Sequence, residues 1–322
     1  MVKLSDIAAR AGVGVSTVSY VLNKTGLHKV SPRTQERILA AARELRYVPN
    51  VAGKALRKGI TYTVAVLFPE INGSFAFNIL DGLESSLNQE NYSMLFCRYR
   101  DRKEFISKCR ELSGRQIDAV VLLGGYPDAF EAVAELNKFH PVTMLAFKSP
   151  IPGIPSVYVD GARLNFLAVK HLISLGHKKI AIQLGADGNK ILGAEKAAEE
   201  SDTQLFFSPR EIRSGKEFLE WGLTQDKEIT GFVAYSDRMA VEFMGAAVDC
   251  GLRIPEDISV VGADGEEFGN FIRPALTTVA QPDIEQGAAA ARVMLQLIRG
   301  GSAEDVILMP ELIKRNSTAS PK

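Results

Sequence analysis

The chain has 322 residues, 46% of them hydrophobic and 24% charged, and its formal net charge is zero. That is the composition of an ordinary globular protein long enough for two or three domains. No apolar run approaches membrane-spanning length, and the opening MVKLSDIAAR lacks a secretory h-region. Cys97, Cys109 and Cys250 fit neither a disulfide framework nor a zinc spacing, so buried free thiols in a reducing cytoplasm are expected, with no metal and no cofactor. The zero sum conceals a division. Residues 1–60 hold 11 Lys and Arg against three acids, a net +8, which leaves −8 on the remainder. A compact basic head on an acidic body is an electrostatic footprint for nucleic acid.

Residues 5–11, SDIAARA, join a polar start to alanines and an Arg and predict a short helix. GVGVSTVSYVLN follows at 12–23. Glycines ahead of a helix suit a phosphate-cradling loop, but a G-x-G-x-x-G spacing fails at Thr17. The G-x-x-x-x-G-K-[ST] alternative fails because no Lys precedes Ser16. Helix, glycine turn and helix is instead the helix-turn-helix arrangement. Val18, Val21 and Leu22 follow the i, i+3, i+4 rule and predict a core face, which turns Ser16, Ser19, Tyr20 and Asn23 outward with Thr17 on the flank. Hydroxyls, an amide and a phenol suit base edges and phosphates better than they suit a bare solvated face, which remains the alternative.

Ser31 and Pro32 predict the cap and first turn of a third helix, with Ile38, Leu39, Ala42 and Leu45 as its apolar stripe and an end near Arg46. YVPNVAGKALRKG (47–59) is short and basic, and Gly53 weakens a helix that Asn50 would cap. It reads as a hinge that orders only when something holds it. From Thr61 the texture changes. Apolar β-branched runs at 62–68, 92–97, 118–124, 141–147, 179–185, 231–236 and 258–264 alternate with amphipathic stretches such as 75–89, 101–113, 161–175 and 236–250. This is the pattern of parallel sheets covered on both faces. It runs twice, with a break near IPSVYVDG (154–161), and so predicts an α/β body of two doubly wound lobes with a ligand cleft beyond the strands' carboxyl ends.

With head, hinge and two-lobed body in view, the chain resembles the lactose-repressor (LacI) family of transcription regulators along essentially its whole length. The motifs that carry the likeness are SDIAARAGVGVSTVSYVLN, VSPRTQERILAAARELRYVPN, SLGHKKIAI, GLRIPEDISVVGAD, PALTTVAQP and LIKRNST. The resemblance implies a three-helix head over residues 1–46, a hinge helix over 47–60, and a periplasmic-binding-protein-like core over 61–322. Lobe 1 would take 61–160 and 283–311, and lobe 2 would take 161–282 and 312–318. It also implies a cytoplasmic homodimeric repressor on a near-palindromic DNA operator under the control of a small effector such as a sugar or sugar phosphate.

The DNA-contacting set implied is Ser5, Val15, Ser16, Thr17, Ser19, Tyr20, Asn23, Lys54, Leu56 and Arg57. Val15, Ser16 and Tyr20 would meet the major groove, and Thr17, Ser19 and Asn23 the phosphates. Tyr20 departs from the family's usual Arg, the residue best suited to guanine. Leu56 matches the family's minor-groove wedge, the alternative being an apolar contact with the body. The implied effector set is Ser74, Phe75, Lys148, Lys190, Arg210, Asp237 and Asp264. Phe75 would stack on a ligand or else begin a helix's apolar face, and Asp237 would accept ligand hydroxyls, cap a helix, or both. Lys148 and Lys190 stand where many members have Arg, Arg210 stands where many have an aromatic, and the 185–215 stretch is short for the family.

No catalytic constellation emerges. His28, His140, His171 and His177 are scattered, without H-E-x-x-H or a G-x-S-x-G elbow. A nicotinamide-dependent oxidoreductase would need the missing glycine fingerprint. A transport solute-binding protein would need a signal peptide and would not carry a +8 head.

Overall fold

The computed structural model describes residues 2–47, 59–70, 74–185 and 188–322. The expected hinge contacts Lys54, Leu56 and Arg57 lie outside the described residues, as does the side chain of Ser74. The chain divides into two units, Met1–Thr61 and Tyr62–Lys322.

In the first unit, α1 (Leu4–Ala11), α2 (Val15–Leu22) and α3 (Pro32–Glu44) enclose a core of Ile7, Ala8, Ala11, Val18, Val21, Val30, Ile38, Ala41 and Ala42. The Lys3 amide donates to the Asp6 carboxylate at 2.8 Å, so Asp6 closes the start of α1. Gly12 ends α1 at φ 62°, a left-handed conformation that a Cβ would strain. Ser31 accepts from the Thr34 amide with Pro32 in the first turn, as the sequence predicts. The stripe on α3 differs in one place. Ala41, three residues after Ile38, is buried, whereas Leu39 is 41% exposed, because i+3 shares a helical face and i+1 does not.

In the second unit, β1 (Thr63–Pro69), α4 (Ser74–Gln89), β2 (Ser93–Tyr99), α5 (Arg102–Ser113), β3 (Ala119–Leu123), α6 (Phe130–Leu136), β4 (Val142–Leu145) and β5 (Ser156–Val159) form most of lobe 1. Asp160 then caps α7 (Gly161–Ser174) through the Arg163 amide. Lobe 2 continues with β6 (Lys179–Ile182), α8 (Asn189–Ala198), β7 (Gln204–Phe207), α9 (Gly215–Gln225), β8 (Gly231–Val233), α10 (Asp237–Asp249), β9 (Ser259–Asp264) and β10 (Thr277–Ala280). The chain returns to lobe 1 as α11 (Asp283–Ile298) and β11 (Val306–Leu308), and crosses back as β12 (Glu311–Ile313).

The strand orders are β11-β5-β4-β3-β1-β2 and β12-β10-β9-β8-β6-β7. Pairing is parallel except between β10 and β12. Val64 to Leu67 of β1 have no solvent exposure, as a strand covered on both faces requires. Each order reverses direction once, between β1 and β3 and between β6 and β8, and ligands of such sheets bind beyond the carboxyl ends at that point.

The stretch 154–161, expected as the break between lobes, contains β5, an inner strand of the first sheet. Cys97 and Cys109 are buried, but Cys250 is exposed, because it follows the last turn of α10. Among the described residues no helix is long and apolar enough to cross a membrane.

Two of the sequence signposts meet in space. His177, from SLGHKKIAI, bonds Ala319 O at 3.0 Å and Thr230 Oγ1 at 2.8 Å, and Ser317, from LIKRNST, donates to Val260 O at 2.7 Å. They clamp the carboxyl-terminal segment to β9 and serve the fold rather than a ligand.

Candidate nucleic-acid interface and ligand cleft

The outward side of α2 carries Val15, Ser16 and Tyr20, all exposed, while Thr17, Ser19 and Asn23 are half-buried. Ser5 is exposed on α1, its hydroxyl 3.4 Å from the Asp6 carboxylate. Asn23 Nδ2 donates to Ser19 O at 2.9 Å and to Ser19 Oγ at 3.1 Å, so these two residues brace each other at the end of α2. The Tyr20 ring lies against Gly26 and beneath Lys29, whose Nζ is 5.9 Å from the ring centre. Lys29 was not among the expected contacts. It belongs to a 3-10 turn, Leu27–Lys29, entered through Gly26 at φ 63°, and no periodicity announces so short an element. Arg10 and Glu44 form an exposed two-bond pair between α1 and α3, at 2.7 and 3.0 Å.

The expected effector residues separate into two groups. Phe75 and Lys190 follow β1 and β6, which border the switch points, while Arg210 follows β7 and Asp264 ends β9. Phe75 is half-buried. Lys190 sits 4.3 Å from the centre of the Tyr235 ring and acts electrostatically on Asp264. A Cβ built on Gly188, just before α8, would lie 4.0 Å from an Arg210 guanidinium nitrogen, so Arg210 reaches the end of the helix that carries Lys190. Asp264 has φ 114°, sparsely populated for a residue with a Cβ, and accepts from Gln281 Nε2 at 2.8 Å. Burial pushes its carboxyl up to about 7, against the opposing pull of Lys190.

Two residues depart from expectation. Lys148, three residues past β4, lies 3.9 Å from Asp305, immediately before β11, and its side chain is largely exposed, so its partner is an edge-strand carboxylate rather than a ligand-facing one. Asp237 is fully buried and its acceptors are engaged internally. Gly265 N donates to Oδ2 at 2.9 Å, Glu266 N to Oδ2 at 2.7 Å, and Thr278 Oγ1 to Oδ1 at 2.6 Å. The helix cap at this point is Ser236, which accepts from the Met239 amide. Asp237 therefore fixes the loop after β9 from beneath and has no face for a ligand. Burial raises its carboxyl to about 6, with the three hydrogen bonds pulling the other way.

Beside these stand groups that the sequence did not single out. Tyr235 packs its ring on Gly185, where a Cβ would fall 1.9 Å from a ring carbon, and its amide donates to Gln183 Oε1 at 3.1 Å. Glu266 accepts from the Phe75 amide at 3.2 Å. Asp283 is bonded by the Asn78 side chain, and burial first, then the charge of Glu266, raises its carboxyl to about 7. Tyr235 and Glu266, each two residues past the carboxyl end of a strand, β8 and β9, carried the available sequence signal, because carboxyl-end positions are where such folds bind. Among the described residues no group of His, Cys, Asp or Glu is arranged to hold a metal ion.

The described residues thus make a helix-turn-helix unit followed by two doubly wound parallel lobes, the architecture of a DNA-binding regulator. Residues 3–50 match the model of bacterial regulatory proteins of the lacI family, and residues 169–318 match a periplasmic binding protein-like domain. The HTH-type transcriptional regulator DegA of Bacillus subtilis is 32% identical, covering 98% of this chain and 97% of its own. The lac repressor dimer bound to operator and the anti-inducer ONPF superposes with a TM-score of 0.85 at 25% identity, covering 99% of each chain. The CelR–cellobiose complex gives 0.73 at 26% identity over 98% of this chain and 100% of its own. The chain belongs to the LacI family of bacterial transcription regulators, which are not enzymes.

Proposed function

We propose that this protein is a cytoplasmic homodimeric repressor that reads a near-palindromic operator and is controlled by a small polyhydroxyl effector. The observation that carries the DNA reading is the exposed Val15, Ser16 and Tyr20 face of α2 on a +8 segment. The proposed contact set adds Ser5, Thr17, Ser19, Asn23 and Lys29, with Lys54, Leu56 and Arg57 from a hinge at 47–60. Two heads on matched half-sites supply the footprint that one small head lacks. The apolar groove lined by Val241, Met244, Val248, Leu252 and Ile272 offers a surface for the second protomer; Val248 and neighbouring Phe271 are 67% and 71% exposed.

The effector would lie between lobe 1 (61–160, 283–311) and lobe 2 (161–282, 312–318), against Phe75, Lys190, Tyr235 and Asp264, with Arg210 at the margin. An aromatic face and a carboxylate that accepts paired hydroxyls suit a sugar. Burial already penalises charge on Asp264 and Asp283, and an anionic phosphate beside them and Glu266 would add to that cost, which favours a neutral sugar over a phosphorylated one. The likeness to a cellobiose-bound regulator supports the same class.

Selection from random duplexes followed by gel shift tests the DNA reading: a symmetric motif is expected, and recovery of none refutes it. For the effector, a thermal-shift screen of sugars, sugar phosphates and nucleobases followed by calorimetry is the direct test. A neutral sugar should raise the melting temperature and lose at least about tenfold in affinity in Asp264→Asn. Stabilisation only by nucleobases or sugar phosphates contradicts the assignment.

A further inference from the structure

We propose that Glu266 is a positioning residue that ties lobe 2 to lobe 1 by capping the first turn of α4 across the cleft. The Phe75 amide, at the start of α4, donates to Glu266 Oε1 at 3.2 Å, between residues 191 apart in the chain. The first amides of a helix have no intrahelical acceptor, and a carboxylate there gains both a hydrogen bond and the favourable end of the helix dipole. Such caps ordinarily come from the preceding residue. Here the carboxylate comes from the other lobe, and Glu266 is only 9% exposed.

The loop that carries it is held in place. Gly265 adopts φ 84°, and a Cβ there would lie 2.5 Å from the Ala280 Cβ; the Gly265 and Glu266 amides both donate to buried Asp237. A second carboxyl, Asp283, meets the same turn of α4 through Asn78. The charge of Glu266 bears on Asp283, so both acids act on this end of α4. Asp264, which flanks the cleft, is two residues from Glu266 in one strained segment. A ligand engaging Asp264 thereby acts on the cap, and α4 reports the event to lobe 1. This last step rests on the effector reading above; the cap itself does not.

The test is hydrogen–deuterium exchange on the full-length chain, wild type, Glu266→Ala and Glu266→Gln, together with gel shift on the duplex recovered by wild-type selection. In Glu266→Ala the amides of residues 75–78 should exchange at least about tenfold faster while residues 83–89 keep their protection. Glu266→Gln, which keeps an acceptor oxygen, should recover most of that protection. Duplex affinity should shift about fivefold or more in Glu266→Ala and less in Glu266→Gln. Wild-type exchange at 75–78 in Glu266→Ala overturns the proposal. So does faster exchange spread over α4 and β9 alike in both variants, which marks a folding residue. If wild type selects no duplex, the DNA reading fails while the exchange measurement still decides the cap.

Discussion

Asp237 shows how one buried carboxylate fixes a loop from beneath. Its three internal donors hold the segment 264–266 in place. Asp237→Ala leaves two amides and a hydroxyl without their acceptor in a buried place, and each unsatisfied group costs about 1–3 kcal/mol. The urea midpoint should fall with an unchanged m-value; a midpoint equal to wild type refutes the buried network. Tyr20 belongs to the same scale on the head. Tyr20→Arg restores the bidentate donor that grips guanine, so repeated selection should move the half-site towards G at one position. An unaltered motif would show that Tyr20 does not face a base.

The raised carboxyls give a pH prediction. Asp264 and Asp283 titrate near 7 in the fold against an ordinary value of 3.8, so between about 4 and 7 the folded chain binds more protons than the unfolded one. Their stabilising contribution is full below about 4 and is lost as the pH rises through 7. Asp283→Asn should therefore gain stability relative to wild type as the pH climbs from 5 to about 8, followed by thermal melts across that range. A difference that shrinks with rising pH contradicts the assignment.

At the scale of elements, α4 and α11 make close backbone contact. A Cβ on Gly287 would fall 1.9 Å from Ile79 O, and one on Gly82 would fall 2.0 Å from Ile284 O, so two glycines let the backbones touch. Gly287→Val must separate the helices and should destabilise the core by about 1–3 kcal/mol or more, read as a lowered melting temperature. Long periodic elements were legible in the sequence: α4, α5, α7 and α10 lie within a residue or two of expectation, because each buries one stripe over three or more turns. The strands β5, β7, β10, β11 and β12 were not. They span three or four residues, several half-exposed, too few to show alternation, and their existence depends on neighbours distant in the chain. The site divides in the same way. Phe75, Lys190 and Asp264 were singled out through the family resemblance, whereas the burial of Asp237 and the reach of Glu266 to Phe75 depend on tertiary contacts that no local spacing encodes.

For the whole molecule, the division into a basic head and an acidic body is the feature with the widest consequence. The −8 body repels DNA, so phosphate contacts must come from the +8 segment alone, and their counterion release sets the salt response. The most direct measurement is fluorescence anisotropy of the selected duplex, and of a scrambled one, titrated with the full-length chain from 50 to 200 mM salt. The account predicts affinity falling by about 10³-fold or more over that range, and binding at low salt that is at least about 10³-fold tighter for the selected duplex. Ser16→Ala combined with Tyr20→Ala should narrow that preference and leave the salt slope almost unchanged, since base contacts specify while phosphates position. Equal affinity for both duplexes, or binding indifferent to salt, would contradict a DNA-reading function for this head.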